Sequence, residues 1–87
     1  MDRPTRYTVE LCLPDGGWAD VQKAAARARE ATEQTGGTVR FLRSIFVPED
    51  DTCFLLYEGP SAESVRAAAR RAKLGAWGVE ASLKETP

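Results

Sequence analysis

The stretch Val39–Pro60, VRFLRSIFVPEDDTCFLLYEGP, constrains this chain most. Two runs rich in β-branched, aromatic and leucine residues flank an acidic turn, Pro48-Glu49-Asp50-Asp51. That pattern predicts a β-hairpin. Proline ends the first strand, and aspartate holds turn geometry through hydrogen bonds to its own backbone. Phe41, Phe46, Phe54 and Tyr57 all lie in this hairpin, so the core is expected to be built on it.

Upstream, Tyr7, Val9, Leu11 and Leu13 alternate with Thr8, Glu10 and Cys12, the period of a half-buried strand. A helix is expected from about 18 to 35, with Trp18, Val21, Ala25, Ala28 and Thr32 on one stripe. Asp15 or Gly17 would cap its start, and Gly36-Gly37 would end it, since glycine takes the left-handed position after a helix at no steric cost. Downstream of the hairpin, Ser61 is the expected N-cap of a second helix whose apolar side is Val65, Ala68, Ala69 and Ala72. Arg66, Arg70, Arg71 and Lys73 gather toward its end, where the helix dipole favours cations, and Gly75 would stop it. Trp77 and Gly78 lead into a last strand over 79–83, in which Val79, Ala81 and Leu83 alternate with Glu80, Ser82 and Lys84. Residues 1–6 and 85–87 are left as flexible ends of a single domain spanning 1–87.

Strand, helix, strand, strand, helix, strand is the order of the α+β, ferredoxin-like βαββαβ fold. Right-handed crossovers would set the first and third strands side by side in the middle of a four-stranded antiparallel sheet, with both helices on one face. The other face is left open. If Tyr7, Val9 and Leu11 meet the helices, then Thr8, Glu10 and Cys12 point to the open face, as do Glu80 and Ser82 from the last strand. The strand over 39–47 is apolar on both sides, which is the pattern of a strand buried on both sides. The open face is therefore expected to be covered, and by a second copy of the chain. Small domains gain stability by associating, and two-fold pairs are the commonest. Two stacked sheets would enclose a cavity.

Phe41, Arg43 and Ile45 are placed on that inner face, because Arg43 is easier to house in a polar cavity than beneath the helices. The cavity would hold Glu10, Glu80 and Arg43 among apolar walls. Two carboxylates in a partly dry site push one proton affinity upward, which makes a proton donor or base. The competing reading is an interface ion pair between Arg43 and a glutamate.

Several classes are set aside. Histidine is absent, which removes the commonest general base and transition-metal ligand. The two cysteines are too few for a disulfide scaffold and form no CxxC. A net charge of −1 and the lack of an RNA-recognition aromatic motif point away from nucleic acid. No apolar run reaches the ~18 residues of a membrane span, and the start MDRPTRY has no signal-peptide core, so a cytoplasmic protein is expected. The glycine pairs lack the spacing of a phosphate loop, and no cofactor is expected.

RYTVE at 6–10, the hairpin with its continuation GPSAESVRAAARRAKL, and GVEASL near the end resemble a family of small bacterial ferredoxin-like domains of unknown function whose best-described member is a nickel-binding protein. The resemblance runs from about Arg6 to Leu83 and implies a ferredoxin-like fold and a homodimer. No metal ligand is carried over. With the two central strands taken as parallel, Cys12 and Cys53 would lie far apart, each a small buried apolar residue. The expected function is that of a dimeric α+β barrel binding a small molecule, or a metal, between its sheets. The alternative is a cofactor-free isomerase, cyclase or monooxygenase of that type. Glu10 or Glu80 would then be the acid–base residue, Arg43 would steady an oxyanion, and Tyr57 would donate a proton if it reaches the cavity.

Overall fold

In a computed structural model, residues 5–12, 17–73 and 82–86 are described. The first strand, β1 (Thr5–Cys12), alternates as its sequence demands: Tyr7, Val9 and Leu11 are buried, while Thr8, Glu10 and Cys12 are half-buried on the opposite face. Helix α1 (Trp18–Glu33) follows, then β2 (Arg40–Val47), β3 (Thr52–Gly59), helix α2 (Ala62–Arg71) and β4 (Ser82–Thr86). The fold is α+β, an antiparallel sheet in the order β2-β3-β1-β4 with two helices. Strand takes in Thr5, Arg6, Glu85 and Thr86, which the sequence assigns to the ends. Leu13, Asp15, Gly75, Trp77 and the 79–81 part of the expected last strand lie outside the described residues.

The hairpin has the expected turn. Pro48–Asp50 form one 3₁₀ turn, Asp51 takes the left-handed conformation at φ 50°, and the Thr52 hydroxyl donates to the Asp50 carbonyl at 2.9 Å. Each helix is delimited by its sequence. Gly36 and Gly37 sit at φ 70° and 92° after α1, and the Thr35 hydroxyl ties the helix end to β2 by accepting from the Val39 amide at 3.1 Å. Ser61 caps α2 by accepting from the Ser64 amide at 3.1 Å, and Ser64 reciprocates by accepting from the Ser61 amide at 3.3 Å. The reciprocal partner is a serine where glutamate or glutamine is usual.

Both helices cover one face of the sheet. Val21, Ala24, Ala28 and Ala31 of α1 and Val65, Ala68, Ala69 and Ala72 of α2 share a core with Tyr7, Val9, Leu11, Cys53, Leu55 and Tyr57. Alanine at the helix positions brings the helix axes close to the sheet. Val21, Ala28 and Thr32 of the expected α1 stripe are buried, joined by Ala24 and Ala31, while Ala25 is half-buried and Trp18 is 65% exposed and packs edge-on against Phe46 at a centroid distance of 5.5 Å. No helix among the described residues is long and apolar enough to cross a membrane.

Candidate functional site

Among the described side chains, β1, β2 and β3 carry the face turned away from the helices. From β3 it carries Thr52, Phe54, Leu56 and Glu58, the half-buried positions that alternate with buried Cys53, Leu55, Tyr57 and Gly59. Register across the sheet then sets its rows. Glu10 pairs with Phe54 and Phe54 with Ile45; Thr8 pairs with Leu56 and Leu56 with Arg43. Ile45 is 39% exposed, a large apolar side chain on a surface that the chain's own helices do not reach.

A bulge in β2 corrects the expected placement of Phe41. Arg43 pairs with Leu56 and Phe41 with Tyr57, which leaves Leu42 as an extra residue. An extra residue reverses the side-chain alternation beyond it. Arg43 and Ile45 therefore stay on the open face, as the sequence suggests, while Phe41 turns to the helices. There it meets Tyr57 edge-on at a centroid distance of 5.7 Å, and the Arg29 guanidinium stacks over its ring at 5.5 Å.

The expected site residues are thus only partly brought together. Glu10 and Arg43 share the open face, but β3 lies between their strands and they are in rows two residues apart, so their backbones are about 12 Å apart. Glu80 lies outside the described residues. Tyr57 is fully buried beneath the helices, on the side opposite Glu10, which takes it out of any cavity on the open face. Burial pushes its hydroxyl well above the ordinary phenol range, and that hydroxyl has no hydrogen-bond partner among the described residues. Such a group does not donate a proton to a ligand.

The cysteines also need correcting. The central strands are antiparallel, with Leu11 opposite Cys53 and Cys12 opposite Thr52. The two thiols are at the same end of the sheet but on opposite faces. Cys53 is buried among the helices, where desolvation raises its thiol, and Cys12 is half-buried on the open face.

The sequence reading missed Glu58. It stands between Arg6 and Arg40 on its two neighbouring strands, with Arg6 Nε at 4.0 Å and Arg40 Nη1 at 3.9 Å. The bulge creates this trio. With the register of Ile45 and Phe54 carried on unbroken, Arg40 would fall opposite Gly59 instead. A separate groove of about 430 Å³ lies along the helices between Arg27 and Glu30 of α1, Gln34 just after it, and Arg71–Lys73. It takes in part of the basic end of α2.

What this arrangement defines is a small α+β domain whose sheet has one face packed by helices and one face partly apolar and partly charged, which no helix among the described residues covers. The profile of the nickel responsive protein SCO4226-like family matches residues 7–79, and the chain belongs to that family. Among solved structures, the crystal structure of SCO4226 from Streptomyces coelicolor A3(2) is similar over 94% of this chain and 95% of that one, at 29% identity and a TM-score of 0.67. No curated protein matches the chain.

Proposed function

We propose that this chain is a small-ligand-binding protein that acts as a ferredoxin-like homodimer, with its ligand held between two stacked open sheet faces. The observation that carries the reading is the apolar strip of exposed Ile45 and half-buried Phe54 and Leu56 on the face away from the helices. Stacked sheets pack about 10 Å apart, which covers such a strip and leaves room where side chains are short. Thr8 and Cys12 are the short residues on β1, and they flank Glu10. A ligand there would lay an apolar body on Phe54 and Leu56 and offer a donor or cation to Glu10.

The family description brings in nickel, and the donors of this chain do not fit it. Nickel favours imidazole and thiolate. Histidine is absent, the cysteines face opposite sides of the sheet, and no group of three or more metal-binding side chains forms among the described residues. The ligand proposed is therefore an organic molecule.

Native mass spectrometry with metal analysis of the same sample tests this. The expected result is a dimer carrying added small-molecule mass, which Glu10→Gln releases without splitting the dimer. A bare dimer would remove the ligand, stoichiometric nickel would remove the choice of an organic one, and a clean monomer would remove the covered face. Glu10→Gln retaining its ligand would take Glu10 out of the site.

A further inference from the structure

Arg70 and Arg71 lie in the last turn of α2, where the helix dipole favours cations, but Lys73 lies beyond the helix. Ala72 is the C-cap, and Lys73 follows it at φ 56°, in the left-handed region. Glycine is the usual residue at that position, because a side chain there crowds the backbone. This chain turns on a lysine instead, with the Lys73 amide donating to the Arg70 carbonyl at 3.0 Å, and Gly75 comes only two residues later in the sequence.

Lys73 borders the groove of about 430 Å³ along the helices. Buried Ala31 and Ala72 line it from the two sides, and exposed Arg27, Glu30, Gln34, Arg71 and Lys73 surround it. Alanine at the two inner positions leaves space that a larger side chain would fill. The volume falls in the range of small-molecule sites, about 300–1000 Å³. Three cations stand there against one carboxylate, and Arg71 and Lys73 form no ion pair among the described residues.

We propose that this groove binds a small molecule through its phosphate groups, with Arg27, Arg71 and Lys73 supplying charge and Gln34 a neutral donor. A guanidinium presents two N–H groups to two oxygens of one phosphate, and an ammonium adds a compact charge. The carbonyls that end α2 repel an anion, so the phosphate is held by side chains and not by backbone. Glu30 opposes it as a like charge. The left-handed lysine then has a reason: a glycine would relax the turn but would remove a cation from the groove. The groove is on the helix side of the sheet, so this site is separate from the ligand and the pair proposed for the open face.

The test is an amide-shift NMR titration with inorganic pyrophosphate at fixed salt, on the wild type and on four single variants. The wild type should show saturable shifts centred on residues 27–34 and 71–73. Lys73→Gly separates the two roles of that residue: its urea stability should hold or rise as the turn relaxes, while pyrophosphate affinity falls about five-fold. Arg71→Gln should weaken binding by a similar factor, and Glu30→Gln should tighten it. Arg66 is exposed on the same helix but does not line the groove, so Arg66→Gln should leave the affinity unchanged. Shifts that do not saturate, or that spread evenly over the basic surface, would overturn the site. So would a Lys73→Gly protein of full affinity, or an Arg66→Gln loss as large as that of Arg71→Gln.

Discussion

Gly59 ends β3 where the chain turns into α2, and replacing it with alanine weighs two opposed effects. The backbone at Gly59 is not left-handed, so its conformation suits any residue. With open space around it, alanine would stabilise the fold by about 0.4–1 kcal/mol by narrowing the unfolded ensemble. The space is not open. A Cβ there would lie 2.9 Å from Val65 Cγ2 and 3.4 Å from both Ser64 Oγ and Val39 Cγ2. Carbon atoms rest at about 3.5–4.0 Å. Val65 is fully buried in the first turn of α2, and a β-branched side chain in a helix holds one rotamer. Its methyl cannot swing aside, and the helix must lift from the strand. Overpacking of this kind costs about 1–3 kcal/mol, which leaves a net loss of about 1.5 kcal/mol. In thermal terms that is about 6–12 °C for a domain of this size. Urea unfolding followed by circular dichroism reads it as a lower midpoint at unchanged slope. Gly59→Ala on a Val65→Ala background should cost nothing, because the obstructing methyl is gone. An alanine that stabilises the wild-type background would refute the contact. A cost that persists beside Val65→Ala would refute Val65 as its source.

Tyr57→Phe removes a buried hydroxyl that has no partner among the described residues, and stability should hold or rise by about 1 kcal/mol in the same urea assay; a loss of that size would show a hydrogen bond that those residues do not supply. Burial raises both the Tyr57 hydroxyl and the Cys53 thiol, so the folded chain keeps protons that the unfolded chain gives up. Their contribution is full below the ordinary values of about 8.5 for a thiol and about 10 for a phenol, and it is lost as pH rises past them. Urea midpoints should therefore fall above about pH 9, and a rise there would contradict the burial. A thiol reagent should modify Cys12 in the folded protein and reach buried Cys53 only on unfolding; equal rates for the two would count against the facing of β1 and β3. Ser61→Ala removes the hydroxyl that accepts from the Ser64 amide, leaving the bond from the Ser61 amide to Ser64, and should cost about 1 kcal/mol, with amide exchange quickened in the helix's first turn; unchanged exchange would mean the cap is idle.

Much of this fold is written locally. The alternation from Tyr7 to Cys12, the turn Pro48–Asp51, the glycine pair after α1 and the serine before α2 each act through their immediate neighbours, and each is found where the sequence puts it. Readings that depend on a distant partner fared worse. Tyr57 and Phe54 lie on opposite faces of one strand, and both faces are apolar, so alternation alone could not say which aromatic meets the helices. Parallel or antiparallel pairing of β1 with β3 decided whether the two thiols are distant or adjacent, and only the direction of the whole hairpin fixes that. On α1 the expected Val21, Ala28 and Thr32 are buried, but Trp18 is at the helix's first position, where its ring packs against Phe46 and stays largely exposed.

The bulge at Leu42 shows most directly how little separates a structural detail from the character of the site. The turn fixes the register from Val47 back to Arg43, and on that register Arg40 would point beneath the helices. A guanidinium there would be stripped of water with no carboxylate facing it, at a cost far above that of one irregular strand residue. One extra residue returns Arg40 to the open face, opposite Glu58, and sends Phe41 into the core against Tyr57. A single backbone insertion thereby serves both sides of the sheet. It gives the core an aromatic side chain, and it gathers Arg40 and Arg43 on one face and at one end of it. Those two arginines share a face because the eight residues Arg40–Val47 pair with only the seven of Thr52–Glu58.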